Sequence, residues 1–311
     1  MLAQLEKNFP DDLRVIYRHF PLNIHDKAAL SVQAAEAAGL QGKFWEMHDL
    51  LFNQRDQWVG LDPTEFPKWA IDQASSLGLD VKKFESDMNS QALVTLAKDA
   101  WDKNVALGMP GTPFIMINNR QYNGRTDYGN LLSVVKILLL EKRQFSACPT
   151  MALDPNKHYL AVLHTEKGDI TLDLFADKTP LAVNSFIFLA RQGWFDGVTF
   201  HRVLANFVAQ AGDPSGTGFG NPGYAFDNEI WPDLTFDGPG VVGMANAGAG
   251  SNGSQFFITL ASAHQLDGDY TIFARVIAGM DVVQKLTPRD PEQGIDLPPG
   301  DKIISVTIEE Q

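Results

Sequence analysis

The chain holds a single cysteine, Cys148, in 311 residues, and with one thiol it can form neither an intramolecular disulfide nor a CxxC pair. Dithiol chemistry within this chain is therefore excluded. Positive charge is also scarce: 25 Lys and Arg stand against 38 Asp and Glu, a formal net charge of -13. No basic excess is left to bind a phosphate backbone or an anionic membrane, so nucleic acid is not an expected partner. Long apolar runs are missing too. The most apolar stretch, Ser133 to Leu140, is broken by Lys136 and is far shorter than the roughly 20 residues that cross a bilayer. The opening MLAQLEKNFPDD does not read as a secretory signal, which would begin with positive charge and an apolar run.

What is present fits a soluble globular chain, with 44% hydrophobic and 20% charged residues. The length suits two domains of ordinary size. The segment SACPTMALDPN, residues 146–156, interrupts the periodic pattern with two prolines and small residues and is read as a linker. It separates a first domain, 1–145, from a second, 157–311. Before it the pattern is mainly helical, as in SVQAAEAAGL from Ser31 and the run from Ala92 to Ala106.

After it the pattern alternates. His158 to Thr165 and Ile170 to Phe175 read as a hairpin turned by Glu166, Lys167, Gly168 and Asp169. Thr179 and Pro180 supply an N-cap and a first helical residue, and Gly193 closes that helix. Short strands are expected at Thr199 to Val203, Val208 to Gln210, Gly240 to Ala245, Gln255 to Leu260, Thr271 to Val276 and Lys302 to Glu309, with a second helix at Met280 to Leu286. Many short strands and two helices predict a sandwich or a closed barrel.

Three segments of this half, FHRVLANFVAQAGDPSGTGFG from Phe200, GMANAGAGSNGSQFFIT from Gly243 and LDGDYTIFARV from Leu266, together resemble the cyclophilins. The resemblance implies a mainly antiparallel closed β-barrel with two helices, acting as a peptidyl-prolyl cis/trans isomerase without metal or organic cofactor. Position by position, it places Arg202 as the catalytic arginine with Gln210 beside it, and Phe207 as the floor of the proline pocket. Val208 stands where many members have methionine. Ala245 and Asn246 match the edge that binds substrate backbone, Gln255 and Phe257 the pocket wall, and Leu266 the rim. Gln265 replaces a tryptophan and Tyr270 a histidine, which predicts weak sensitivity to cyclosporin.

The chemistry of these residues is coherent in itself. The barrier to rotation about a peptide bond, about 18 to 20 kcal/mol, exists because the nitrogen lone pair is delocalised into the carbonyl. A guanidinium near the prolyl nitrogen hydrogen-bonds that lone pair as it localises, more strongly in the twisted state than in the planar one. Taken alone, Arg202 would be read as a surface arginine in an ion pair, and Phe207 and Phe257 as core residues. The FHR context with Phe207 and Gln210 favours the site instead, whereas Phe256 is read as core and His201 as a packed or hydrogen-bonded neighbour rather than a catalyst.

GAGSNG at Gly248 to Gly253 matches the dinucleotide pattern GxGxxG, but a strand-like QFFITL follows where a helix is required. A substrate-lining loop is the better reading. Gly216 to Gly223 reads as a flexible loop with no lysine to hold a phosphate.

In the first domain, Leu13 to Phe20 is a strand candidate, and MPGTPFIMINNRQYNG from Met109 holds a hairpin turned at Asn118-Asn119, followed by a helix from Tyr128 to Lys142. This order, with Thr112-Pro113 and YRHFPLNIHDKA at Tyr17, resembles the thioredoxin-like oxidoreductases of the DsbA type. The resemblance implies a helix-rich α/β domain that lacks its first strand and CxxC. Either the true N-terminus lies upstream or the redox role is lost; the former is expected, because losing a central strand exposes a sheet edge. It also implies a bacterial, extracytoplasmic setting. The main expectation is an isomerase that assists folding by acting on peptides and unfolded chains. The alternatives are a non-catalytic proline-peptide module or holdase, and a thiol oxidoreductase if a CxxC precedes Met1.

Overall fold

A computed structural model describes residues 1–154, 156–294 and 297–311. Pro155, one of the two linker prolines, lies outside the described residues. Contacts divide the chain into two compact units, Arg14–Gly124 on the one hand and Met1–Leu13 with Arg125–Gln311 on the other. The second unit opens with α1 (Leu2–Asn8). Residues 125–145, read from the sequence as the end of the first domain, pack in the second unit, where Leu140 joins the main core.

The unit Arg14–Gly124 is built on six helices among its described residues: α2 (Ala28–Gly39), α3 (Phe44–Asn53), α4 (Arg55–Trp58), α5 (Phe66–Ser76), α6 (Val81–Met88) and α7 (Gln91–Ala106). The alanines of α2, including Ala34, Ala37 and Ala38, are buried and allow close approach to Met47, Phe84 and Leu93. Asp80 and Ser90 cap α6 and α7 by accepting from the N–H groups of Lys83 and Leu93. The hairpin forms as expected, from β1 (Ile115–Ile117) and β2 (Arg120–Tyr122). Asn118 and Asn119 take φ of 49° and 63°, the left-handed pair of a type I′ turn. The Thr112–Pro113 bond is cis. Leu13 to Phe20, in contrast, forms no strand: it pairs with neither strand of the two-stranded hairpin, the one sheet among the described residues of this unit.

The second unit continues with α8 (Tyr128–Leu140) and an eight-stranded sheet. Its strands are β3 (Tyr159–Thr165), β4 (Gly168–Leu174), β5 (Arg202–Leu204), β6 (Val208–Ala211), β7 (Val241–Met244), β8 (Phe256–Thr259), β9 (Ile272–Ala278) and β10 (Ile303–Glu310), with α9 (Pro180–Arg191) and α10 (Met280–Val283) between them. The order is β10-β3-β4-β9-β7-β8-β6-β5, with antiparallel neighbours throughout. The sheet is an open, curled half-barrel, which corrects the closed barrel expected from the sequence. Its ends, β10 and β5, are not paired, because β5 is only three residues long and a single bridge, Thr199 to Lys302, forms just ahead of it.

Thr165 pairs with Gly168, so the first hairpin turns in two residues, Glu166 and Lys167, rather than four. Thr179 stands at the N-cap of α9 but does not cap it; its hydroxyl donates to the Phe175 carbonyl. Glu229 does that work from a distant loop, accepting from the N–H groups of Leu181 and Ala182 at 3.0 and 2.9 Å. A carboxylate there also meets the positive end of the helix dipole. Val183, Phe186 and Leu189 of α9 are buried in the core, with Phe195, Phe256 and Phe273.

The strands near the site have two buried faces. Val203, Ala209, Ala211, Val242, Met244, Phe256 and Ile258 belong to the main core. Their sequence neighbours Val208, Val241 and Phe257 point the other way, into a second, smaller apolar cluster with Phe236, Ala263 and Ile272. This alternation follows from the two-residue side-chain period of a strand.

Candidate functional site

The outer face carries one row of residues across neighbouring strands. Arg202 pairs with Gln210, Gln210 with Phe257, and Phe257 with Gly243. Directly opposed residues of antiparallel strands share a face, so residues 8, 47 and 14 positions apart in sequence become neighbours. Arg202 is half-buried, and its guanidinium has no hydrogen-bond or ion-pair partner among the described residues. The ordinary surface ion pair is therefore not what it makes.

Gln210 is held in place. Its Nε2 donates to Gln255 Oε1 at 3.0 Å, and Gln255 Nε2 donates to the carbonyls of Gly218 and Gly220, both at 2.9 Å. The Gln255 carbonyl in turn accepts from the Ala245 N–H at 2.8 Å.

Phe257, 4% exposed, lies between two rings. Phe236 stacks on it with centroids 5.4 Å apart, and Tyr270 meets it edge-on at 5.6 Å. Val208 is buried in the same cluster, with Phe207, Ala245 and Leu266 half-buried at its margin. Phe207 sits in the three-residue turn between β5 and β6, which Asn206 enters with φ of 59°. Gln265 is exposed on the short turn His264–Leu266 and does not join the cluster. The Asn246 side chain donates to Asn228, Asn252 and the Asp269 carbonyl at 3.3 to 3.4 Å, which fixes the loop. Its backbone N–H and C=O have no intramolecular partner among the described residues.

Two members of the cleft were not found from the sequence. Phe236 lies outside the three motif segments and is placed by a hydrogen bond from its N–H to Asp267, 31 residues on. Gly243 begins a quoted segment but had no assigned role. A Cβ on it would stand 2.7 Å from the Phe257 ring and 2.9 Å from Phe236, so only glycine lets both rings cross the strand. Gly243→Ala is expected to destabilise the domain by about 1 to 3 kcal/mol, read as a lower urea midpoint, and to weaken peptide binding.

Beneath the row, Asp213 is fully buried and organises the loop that holds Gln255. Its carboxylate accepts from the N–H groups of Ser215, Thr217, Gly218 and Gly220 and from the Ser215 hydroxyl. Burial alone would raise its pKa, but the hydrogen bonds from Ser215 and Gly220 outweigh that and hold it below the ordinary value.

His201, 3% exposed, has no hydrogen-bond partner at either ring nitrogen among the described residues. Of the two readings offered by the sequence, packed or hydrogen-bonded, the buried ring fits the packed one. Burial pulls its pKa from 6.5 down to about 4, with Asp213 opposing and Arg289 and Arg202 reinforcing. Between those values the unfolded chain binds a proton that the folded chain excludes, so stability is complete above pH 6.5 and falls as the pH drops toward 4. The expected loss is about 3 kcal/mol at one pKa unit per 1.36 kcal/mol. Urea midpoints at pH 7 and pH 4.5 measure it, and His201→Gln should flatten the slope.

The model of the family described as cyclophilin type peptidyl-prolyl cis-trans isomerase/CLD matches residues 160–308, and a thioredoxin model matches residues 2–136. Peptidyl-prolyl cis-trans isomerase-like 1 of Rhizopus delemar is 48% identical over 128 residues, covering 40% of this chain and 78% of the relative. Peptidyl-prolyl cis-trans isomerase ppi1 of Schizosaccharomyces pombe is 47% identical over 127 residues, covering 40% and 82%. A crystal structure of a Cryptosporidium parvum cyclophilin type isomerase, solved in the presence of the dipeptide Ala-Pro, is 34% identical, with a TM-score of 0.45, covering 48% of this chain and 98% of that one. The two curated relatives are fungal and lend no support to the bacterial source expected from the DsbA resemblance. On the strength of these relatives the chain belongs to the cyclophilin-type peptidyl-prolyl cis-trans isomerases, with a thioredoxin-like domain ahead of the isomerase domain.

Proposed function

We propose that the row Arg202, Gln210 and Phe257 is where this isomerase works, and that its substrates are X-Pro bonds in peptides and in unfolded or folding chains. The observation that carries the reading is the Arg202 guanidinium, without an ionic or hydrogen-bond partner among the described residues and in register with an apolar cleft beside it. The pyrrolidine ring enters between Phe207, Val208, Phe257 and Leu266, with Tyr270 and Gln265 at the edge. The free backbone groups of Asn246, next to Ala245, hold the peptide extended. Arg202 then donates to the prolyl nitrogen as its lone pair localises, an interaction that strengthens toward the twisted state. Gln210, oriented by Gln255, lies beside the guanidinium and steadies the same end of the bond.

The family models end at 136 and begin at 160, which supports a division by descent into 1–145, a linker 146–156 and 157–311. A net charge of -13 argues against nucleic acid. Among the described residues, no helix is long and apolar enough to cross a membrane.

The test is the cis-to-trans rate of a short Xaa-Pro peptide with the full chain. Acceleration well above the uncatalysed exchange, which takes tens of seconds, is expected. Saturable peptide binding with an uncatalysed rate would replace this reading with that of a holdase.

A further inference from the structure

Residues 140–154 fall between the two family matches and were read from the sequence as a helix end and a linker. A tether would make few specific bonds to the domain it joins. This segment makes many, all within the second unit. Asn184, 6% exposed on α9, accepts from the Ala152 N–H and donates to the carbonyls of Pro149 and Thr150. Phe145 packs edge-on against Phe188 and beside Trp194, and Arg143 lies over the Trp194 ring at 5.4 Å.

The contacts converge on the loop that orients the site glutamines. The Phe145 N–H donates to the Pro222 carbonyl at 2.8 Å, and Gln144 Nε2 donates to both oxygens of Asn221, backbone and side chain, at 3.1 Å. A Cβ on Gly223 would stand 2.3 Å from the Phe145 carbonyl, and one on Gly220 would stand 2.7 Å from the Leu140 side chain. The approach is therefore close at both glycines. At the other end of the loop, Trp194 Nε1 donates to the Gly212 carbonyl at 3.2 Å. The segment thus grips the loop at its start, through Trp194, and at its end directly. Between those points, Asp213 gathers the loop N–H groups, and the Gly218 and Gly220 carbonyls accept from Gln255, which accepts from Gln210.

We infer that Leu140–Phe145 is a positioning element of the isomerase site, acting through the loop Gly218–Gly223 and Gln255 on Gln210 beside Arg202. The inference rests on the reading of the site proposed above. A positioning role touches the rate of rotation and not the grip on the proline ring, because Phe207, Phe257 and Leu266 lie outside this chain of bonds.

The experiment uses the full chain with Gln144→Ala, a part-exposed position whose loss leaves the core intact. With an Xaa-Pro peptide, kcat is expected to fall about fivefold, the scale of one or two neutral hydrogen bonds, with KM within a factor of about two. The Gln255 side-chain amide signal should shift in NMR spectra, which a merely structural contact would not cause. Adding Gln144→Ala to Gln255→Leu should cause no further loss, since both act on one chain of bonds. Wild-type kcat and an unmoved Gln255 signal in Gln144→Ala, alongside a slow Gln255→Leu, overturn the positioning role alone. Wild-type kcat in Gln255→Leu overturns the reading of the site and the positioning role together.

Discussion

Replacing Arg202 by alanine is expected to lower kcat/KM for a short Xaa-Pro peptide by about ten- to a hundredfold while peptide affinity stays nearly constant. The scale comes from a charge-assisted hydrogen bond, about 1.5 to 3 kcal/mol, at about 1.4 kcal/mol per factor of ten. The bond forms to a lone pair that is available only in the twisted peptide, so its loss falls on the rate and not on ground-state binding. Binding persists because Phe257, Val208 and their apolar neighbours do not depend on the guanidinium. Arg202→Lys should recover only part of the rate, since an ammonium lacks the planar fork that can serve the nitrogen and a neighbouring acceptor together. A side-by-side exchange assay with wild type, Arg202→Ala and Arg202→Lys checks the order. Equal rates for all three would remove the electrostatic step and leave the pocket as the whole of the catalyst.

The largest effect on stability is expected at Asp213. Asp213→Ala takes the acceptor from the N–H groups of Ser215, Thr217, Gly218 and Gly220 in a place with no solvent to replace it. Unsatisfied buried donors cost about 1 to 3 kcal/mol each, and with some relaxation of the loop a total of about 3 to 5 kcal/mol is expected. That is a large share of the 5 to 15 kcal/mol typical of a domain. Because its pKa is depressed on folding, the contribution is complete above the ordinary 3.8 and is lost as the pH falls through the lower folded value. Urea titrations of wild type and Asp213→Ala at pH 7 and pH 3 check both points; the gap between the two proteins should narrow in acid. A slower isomerisation rate below the melting range should accompany the loss, since Gly218 and Gly220 would no longer hold Gln255.

Much of the candidate site's geometry was legible because its signals are local. Phe200 to Gly220 contains Arg202, Phe207 and Gln210 on one hairpin, whose three-residue turn forces Arg202 opposite Gln210. That Phe256 and Phe257 face opposite sides of their strand needed only the strand period. The same is true of the Asn118-Asn119 turn, where both residues tolerate the left-handed region that the hairpin demands.

The misses share the opposite property. The strand at Leu13 to Phe20 had the right residues but no partner, and pairing is not a property of one segment. Thr179 had the right identity for a cap, but Glu229 occupies the helix end from 47 residues away. The barrel was expected to close, yet closure depends on whether β5 and β10 meet over several residues, and among the described residues they do not pair; one bridge, Thr199 to Lys302, forms ahead of both. Residues 144–152 read as a helix end and a linker because their bonds run to Asn184, Pro222 and Asn221, 32 to 77 residues distant.

By itself, then, the sequence determined the residue chemistry: an arginine, two glutamines and an apolar pocket on short alternating strands, in a chain with one thiol and an acid excess. Those follow from composition and from periods of two to four residues, which short-range sterics enforce. Only the tertiary structure decided that Gly243 leaves room for two stacked rings, that Phe236 joins the apolar cluster behind Phe257, that Arg202 has no ionic partner among the described residues, and that residues 140–145 grip the loop behind Gln255. Each of these is a distance between atoms far apart in the chain, and such distances are set by the packing of the whole domain.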